Sequence, residues 1–320
     1  MMNTRRQFLR ALSLAIACVP FKGVLAKSAT LSTSLDAGAS NFRYIYGHDD
    51  YKTQFHDFLS NVFHLFPEDE MHQLIAEASK EYPSDEQIYK NLQSEVENIQ
   101  PFLAAFTYAI PALKKQKQVM ATQTHALLPE KKRYEGYLEV GSTGRYLDSL
   151  EEVLNIEGDV FYLSEKAPTY SFEDIIDRGQ IFKGGEFISL NNYASNLTNT
   201  VPANSIDLAT VYIGFHHIPF ELREEFITSI RDVMKPGASL ILRDHNAHNE
   251  KMMKIVALAH DVFNMGTNEN WEYNAQELRN FYSLETLDKM LVAYGFLSTG
   301  EALYQEGDPT LNALMHYKKV

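Results

Sequence analysis

From Asn41 onward, apolar residues recur at spacings of three and four. Tyr51, Phe55, Phe58, Leu59, Val62, Phe63 and Phe66 make one stripe. Met71, Leu74, Ile75 and Ala78 make a second behind "PEDE", and Ile88, Leu92, Val96, Ile99 and Leu103 a third behind "SDEQ". That period is the buried face of amphipathic helices, and Pro67 and Ser84, each followed by acids, suit helix starts. Pro101 and Pro111 kink or divide the helical stretch up to Leu128. At helical spacing, the many aromatics read as core packing rather than a ligand cage. Near Pro129 the pattern changes: "GYLEV", "VFYLS", "EFISL", "DLATVYI" and "SLILRD" are short apolar runs separated by amphipathic helical stretches. Strands alternating with helices predict an open, doubly wound, Rossmann-like α/β sheet that binds ligands at the carboxyl ends of its strands. The predicted division is a helical N-terminal subdomain over 41–128 and an α/β domain over 129–320.

The first residues read as targeting. "TRRQFLR" resembles the twin-arginine translocation motif, "ALSLAIACVPF" is a short apolar run, and Val24 and Ala26 occupy small-residue cleavage positions. This predicts an export signal over 1–26, a polar linker over 27–40, passage through the twin-arginine translocase and a periplasmic or otherwise exported protein. A cytoplasmic chain with a basic, frayed N-terminus is the alternative. The run falls short of the ~20 apolar residues that span a bilayer, so no stable membrane anchor is expected. Cys18 is the single cysteine. Its loss with the signal excludes disulfides, thiolate catalysis and cysteine-ligated metals from the mature form. The net charge is −13 with no basic patch to offset it, which argues against nucleic acid as a partner.

The chemistry is expected at the strand ends. Leu138, Glu139 and Val140 end the first strand. Gly141 and Gly144, with Ser142 between them, let the backbone turn tightly into the helix begun by "RYLDSL". Glu165 ends the second strand, where an acid can accept hydrogen bonds from ribose hydroxyls. Asn191 and Asn192 follow the third, where an amide can meet an adenine edge.

This order of motifs resembles the class I S-adenosylmethionine-dependent methyltransferases, from about Tyr134 to the C-terminus. "LEVGSTGRY" looks like their first motif, "SIDLATVYIGFHHIP" their strand-four motif, and "IRDVMKPGASLILRD" their helix and strand five with Lys-Pro-Gly as the turn between. "LETLDKMLVAYGF" and "GDPTLNALMHYKK" are similar to the last helix and final hairpin. The resemblance implies a seven-stranded sheet of the methyltransferase type and S-adenosylmethionine as cofactor. It places the cofactor at Glu139, Gly141, Ser142, Gly144, Glu165, Asn191, Asn192 and Ile213. The familiar motif is Gly-x-Gly-x-Gly; here Thr143 and Arg145 replace two glycines, and side chains there are expected to crowd the cofactor. Asn191 stands where many members have Asp. A dinucleotide site would want Gly-x-Gly-x-x-Gly, which "GSTGRY" lacks.

Methyl transfer needs in-line positioning, and a base only where the acceptor loses a proton. His216 and His217 of "GFHHIP" and Asp244, His245 and His248 of "RDHNAH" are the candidates. His216, His245 and Asp244 are taken as catalytic, with Asp244 orienting its neighbour His245. Four histidines and Asp244 near one sheet edge offer a divalent-metal site as an alternative, but neither histidine pair has the i, i+4 spacing of a helical metal site, and no residue is assigned to a metal. The acceptor is expected to be a small molecule. Met252, Met253, Phe263, Met265 and Trp271 offer an apolar lining for it, with ordinary core packing the reading for most of them. The rival function is an exported, non-catalytic protein that reuses the fold to bind a nucleoside or another ligand.

Overall fold

The computed structural model describes residues 40–99, 110–128, 133–182 and 184–320. The expected signal over 1–26, the linker up to residue 39, and Leu103 of the third stripe lie outside the described residues. In chain order the helices are α1 (Asn41–Tyr46), α2 (Asp49–Phe58), α3 (Glu68–Glu81), α4 (Asp85–Ile99), α5 (Ile110–Leu127), α6 (Leu147–Glu151), α7 (Phe172–Arg178), α8 (Phe220–Val233), α9 (Glu250–Gly266), α10 (Trp271–Gln276) and α11 (Leu284–Ala293). The strands are β1 (Tyr134–Val140), β2 (Ile156–Ser164), β3 (Glu186–Ser189), β4 (Ile206–Val211), β5 (Met234–His245), β6 (Phe296–Tyr304) and β7 (Asn312–Lys319).

The chain divides into two units. The first, Met1–Ala112 with Ala247–Phe281 and Glu306–Leu311, is helical among its described residues. Ser40 caps α1 by accepting from the Arg43 amide, and it donates to Asp85, whose other carboxylate oxygen accepts from the Asn41 amide at 2.8 Å. Helix α2 runs into one π-helical turn, Leu59–Phe63, closed by His64 at φ 44°. Phe55, Phe58, Leu59 and Phe63 are buried, as their spacing predicts. Phe263 meets Phe58 and Phe63 edge-on at centroid distances of 5.6 and 5.2 Å, and Trp271 meets Tyr89 at 5.4 Å. Met252 and Met265 are buried too. Their burial, and the ring contacts of half-buried Phe263 and Trp271, agree with the core packing expected of most of these residues.

The second unit, Leu113–Asn246 with Tyr282–Gln305 and Asn312–Val320, carries a seven-stranded sheet in the order β3-β2-β1-β4-β5-β7-β6. Strands β1 to β5 pair in parallel, and β7 inserts antiparallel between β5 and β6. This is the expected doubly wound Rossmann-like α/β sheet of the methyltransferase type. Lys-Pro-Gly is not the turn before β5. Met234 already pairs with Ile206, pairing resumes at Leu208 with Ser239, and Gly237 at φ 74° relaxes the bulge between them. The unit boundaries also differ from the expected 128/129. Leu113, Lys117, Met120, Ala121, Thr124 and Leu127 are the buried face of α5, and Met120, Ala121 and Leu127 join a core with Tyr134, Tyr146 and Leu208. Helix α9 instead packs with α1 and α4. No helix among the described residues is long and apolar enough to cross a membrane.

Candidate functional site

Parallel pairing aligns Val140 with Leu163 of β2 and with Val211 of β4, so three adjacent strands end together at one sheet edge. The β1 end turns through Gly141 at φ 93° and Gly144 at φ 88°, where L side chains are strained. A Cβ on Gly141 would lie 2.9 Å from Cβ of Ile213, and one on Gly144 2.6 Å from the Tyr162 ring. The turn is shaped by Glu139, which is 1% exposed. Its Oε1 accepts from the Ser142 hydroxyl and, at 3.1 Å, the Gly144 amide; its Oε2 accepts from the Tyr146 amide at 3.3 Å and the Tyr137 hydroxyl at 3.1 Å. Burial raises the Glu139 pKa, and these hydrogen bonds and the nearby Arg145 work in the opposite direction. Glu139 therefore holds the backbone that lines the turn.

Arg145 does not crowd that turn. Its side chain is buried and directs Nε to Asp177 of α7 at 2.7 Å, in the crossover between β2 and β3. Burial opposes the guanidinium charge, but the facing Asp177 carboxylate outweighs it and raises the Arg145 pKa. A second buried cation, Lys117 of α5, pairs with Asp148 of α6 at 2.7 Å and donates to the Arg178 and Asp177 carbonyls at 3.0 and 3.3 Å. Thr143 stays half-buried in the turn. Neither ion pair was legible in the sequence, because nothing in local spacing marks a lysine or arginine as buried.

At the β2 end, Oε1 of Glu165 accepts from the backbone N–H of Asn192 at 2.7 Å. Asn191, Asn192 and Tyr193 all take left-handed backbone, at φ 48°, 51° and 65°. Asparagine tolerates that conformation better than other non-glycine residues, which gives these positions a backbone reason for their identity. Asn191 is exposed and Asn192 half-buried.

At the β4 and β5 ends, the short turn Phe215–His217 carries His216 to Asp244. Nδ1 of His216 lies 2.7 Å from Oδ1 of Asp244, and the His216 amide donates to Oδ2 at 3.1 Å. The expected pairing of Asp244 with the ring of His245 is not what forms: His245 donates its backbone N–H to Oδ1 at 2.7 Å. A strand's consecutive side chains point to opposite faces, so residues 244 and 245 are poorly placed to pair. Burial alone would raise the Asp244 carboxyl, but His216 and the His245 amide bring it down to about 2. An ionised carboxylate only accepts, so Nδ1 of His216 carries a proton and Nε2 is the nitrogen left to gain or lose one. Gly214 is required here, since a Cβ would come within 2.1 Å of Cε1 of His216. The rings of His217 and His245 lie 4.2 and 5.6 Å from that of His216, centroid to centroid.

No family model and no curated protein sequence matches this chain. Among solved structures it is similar to a 1,6-didemethyltoxoflavin-N1-methyltransferase of Burkholderia thailandensis, solved with 1,6-didemethyltoxoflavin and S-adenosylhomocysteine. The identity is 12% over 73% of this chain and 87% of that one, with a TM-score of 0.45. It is also similar to the CurJ carbon methyltransferase (13% identity, 84% and 71% covered, TM-score 0.44). A third similarity is to a SAM-dependent methyltransferase of Methanosarcina mazei (19% identity, 62% and 96% covered, TM-score 0.40). At identities this low and TM-scores below 0.5, what those proteins bind and act on remains a statement about them.

Proposed function

We propose that this protein is an S-adenosylmethionine-dependent methyltransferase acting on a small molecule, with His216 as general base and Asp244 as its partner. One observation carries the reading. In a sheet of order β3-β2-β1-β4-β5-β7-β6, the glycine turn, Glu165 and Ile213 converge at the carboxyl edge of three adjacent strands, where such sheets place their ligands. The residues fit the cofactor: Gly141 and Gly144 bring bare backbone to the edge, and no side chain could be added at either without striking Ile213 or Tyr162. Arg145 is turned into Asp177. When bound, the cofactor supplies an electrophilic methyl group, and the remaining work belongs to the chain.

Glu139 fixes the turn through its four donors. The backbone N–H of Asn192 holds one oxygen of Glu165, leaving the other to accept from a ribose hydroxyl. His216 takes the acceptor's proton on Nε2, and Asp244 stabilises the resulting imidazolium through Nδ1. General-base catalysis of this kind contributes roughly 10²- to 10⁴-fold. It is needed only if the acceptor atom must lose a proton, and a hydroxyl or N–H acceptor is the class proposed here.

The test is label transfer from methyl-labelled S-adenosylmethionine by the full-length chain to a panel of phenols, quinols and N-heteroaromatics. Transfer should fall at least about 100-fold in His216→Ala while S-adenosylhomocysteine affinity is retained. Undiminished transfer in that variant contradicts the assignment. Cofactor binding with no transfer to any acceptor class would favour the exported, non-catalytic binder, which the altered glycine motif and "TRRQFLR" motivate. We also propose export through the twin-arginine translocase; fractionation that recovers only uncleaved chain from the cytoplasm would contradict it.

A further inference from the structure

Arg223 of α8 is fully buried, and no carboxylate among the described residues pairs with its guanidinium. Nη2 donates to the Ile218 carbonyl at 2.9 Å, and Nη1 donates to the Tyr282 hydroxyl at 2.8 Å and approaches the Met290 sulfur at 3.7 Å. The guanidinium carbon lies 4.8 Å from the ring centre of Phe215, 5.0 Å from that of Tyr282 and 5.6 Å from that of Phe220. Nε is buried with no hydrogen-bond partner. A cation sequestered from water without a counter-charge is costly, and aromatic faces and neutral acceptors offset only part of the cost. A leucine or methionine could occupy much of this space without that penalty. The charge is therefore best explained by what it holds.

It holds the turn that carries His216. Phe215, under the guanidinium, is the residue before His216, and Ile218, whose carbonyl the guanidinium grips, is two residues after it. The turn closes internally through the His217 amide to the Gly214 carbonyl and the Ile218 amide to the Phe215 carbonyl. Asp244 of β5 grips the same turn through the amide and ring of His216. We propose that Arg223 is a positioning residue for His216. Asp244 sets the orientation of the imidazole, and Arg223 fixes the backbone from which it projects. Tyr282 and Met290, next to and within α11, anchor the other end of the guanidinium. The inference rests on the reading of His216 as the base, but the clamp itself is geometric and can be tested without knowing the acceptor.

The experiment is proton NMR of the full-length protein, following the low-field Nδ1–H resonance of His216, assigned by its loss in His216→Gln. Arg223→Met should lose or broaden that resonance, while S-adenosylhomocysteine affinity, which reports the glycine turn, stays unchanged. Arg223→Lys should restore the resonance in part, because one ammonium keeps the charge over the rings but cannot bridge Ile218 and Tyr282 as the planar fork does. Tyr282→Phe, which removes one acceptor and keeps the ring, should weaken it. A folded Arg223→Met with an unchanged His216 resonance overturns the proposal. If Arg223→Met does not fold, an unchanged resonance in both Arg223→Lys and Tyr282→Phe overturns it equally. Failure of methyl transfer would leave these spectra intact, so the clamp and the enzymatic reading fail separately.

Discussion

Asp244 turns Oδ1 to Nδ1 of His216, 2.7 Å away and 28 residues earlier in the chain, while its neighbour His245 reaches the same oxygen through the backbone. The pair joins the end of β5 to the turn after β4 and assigns the proton on His216.

That relationship has a pH signature. The Asp244 pKa is depressed from 3.8 to about 2, so the native state binds its proton less readily than the unfolded chain does. Its contribution to stability is present above about pH 4 and is lost as pH falls toward 2. The shift corresponds to about 2 kcal/mol. Denaturant titrations between pH 5 and pH 2 should show this loss in the native protein. It should be absent or reversed in His216→Gln, where burial of Asp244 is no longer opposed by the imidazole. The same slope in both proteins would contradict the pairing.

The glycine turn makes a second prediction. Gly144 and Gly237 both have left-handed backbone, but a Cβ at 144 would strike the Tyr162 ring at 2.6 Å, whereas nothing lies within 4 Å of one at 237. Gly237→Ala should cost about 1 kcal/mol from backbone strain alone. Gly144→Ala should cost about 2–4 kcal/mol, from strain plus the displaced ring, and should weaken S-adenosylhomocysteine binding. Equal costs in equilibrium unfolding would show that Tyr162 yields freely.

Arg145 and Asp177 form a buried pair, so breaking it should be worse than deleting it. Asp177→Leu alone should destabilise by about 3–5 kcal/mol, because the guanidinium stays buried without its facing carboxylate, and adding Arg145→Met should recover most of that. Additive losses in the double variant would contradict the account.

Much of the fold was legible in apolar spacing. The stripe containing Phe55, Phe58, Leu59 and Phe63 is buried, α3 and α4 start behind Pro67 and Ser84, and the five apolar runs are β1 to β5. Spacing reports local periodicity, so it could not show which unit a helix joins; α5 looks like one more N-terminal helix until Lys117 and Thr124 are found buried beside the sheet. The site was half legible. Gly141, Gly144 and Glu165 sit at strand ends, where topology and residue type agree. The partner of Asp244 differs from the expected one because sequence adjacency is a poor guide on a strand. Arg145, expected to crowd the cofactor, is turned into Asp177 because its length carries the charge away from the glycine turn. Arg223 gave no signal at all, since an arginine buried with no carboxylate partner among the described residues looks in sequence like any surface arginine on an amphipathic helix.

Whether the strand-end turn holds a cofactor is tested by titration calorimetry of the full-length chain with S-adenosylmethionine and S-adenosylhomocysteine. Micromolar binding, roughly −8 kcal/mol, is expected, abolished by Glu165→Ala and weakened by Gly141→Val. No heat of binding at millimolar cofactor from the folded protein would contradict it.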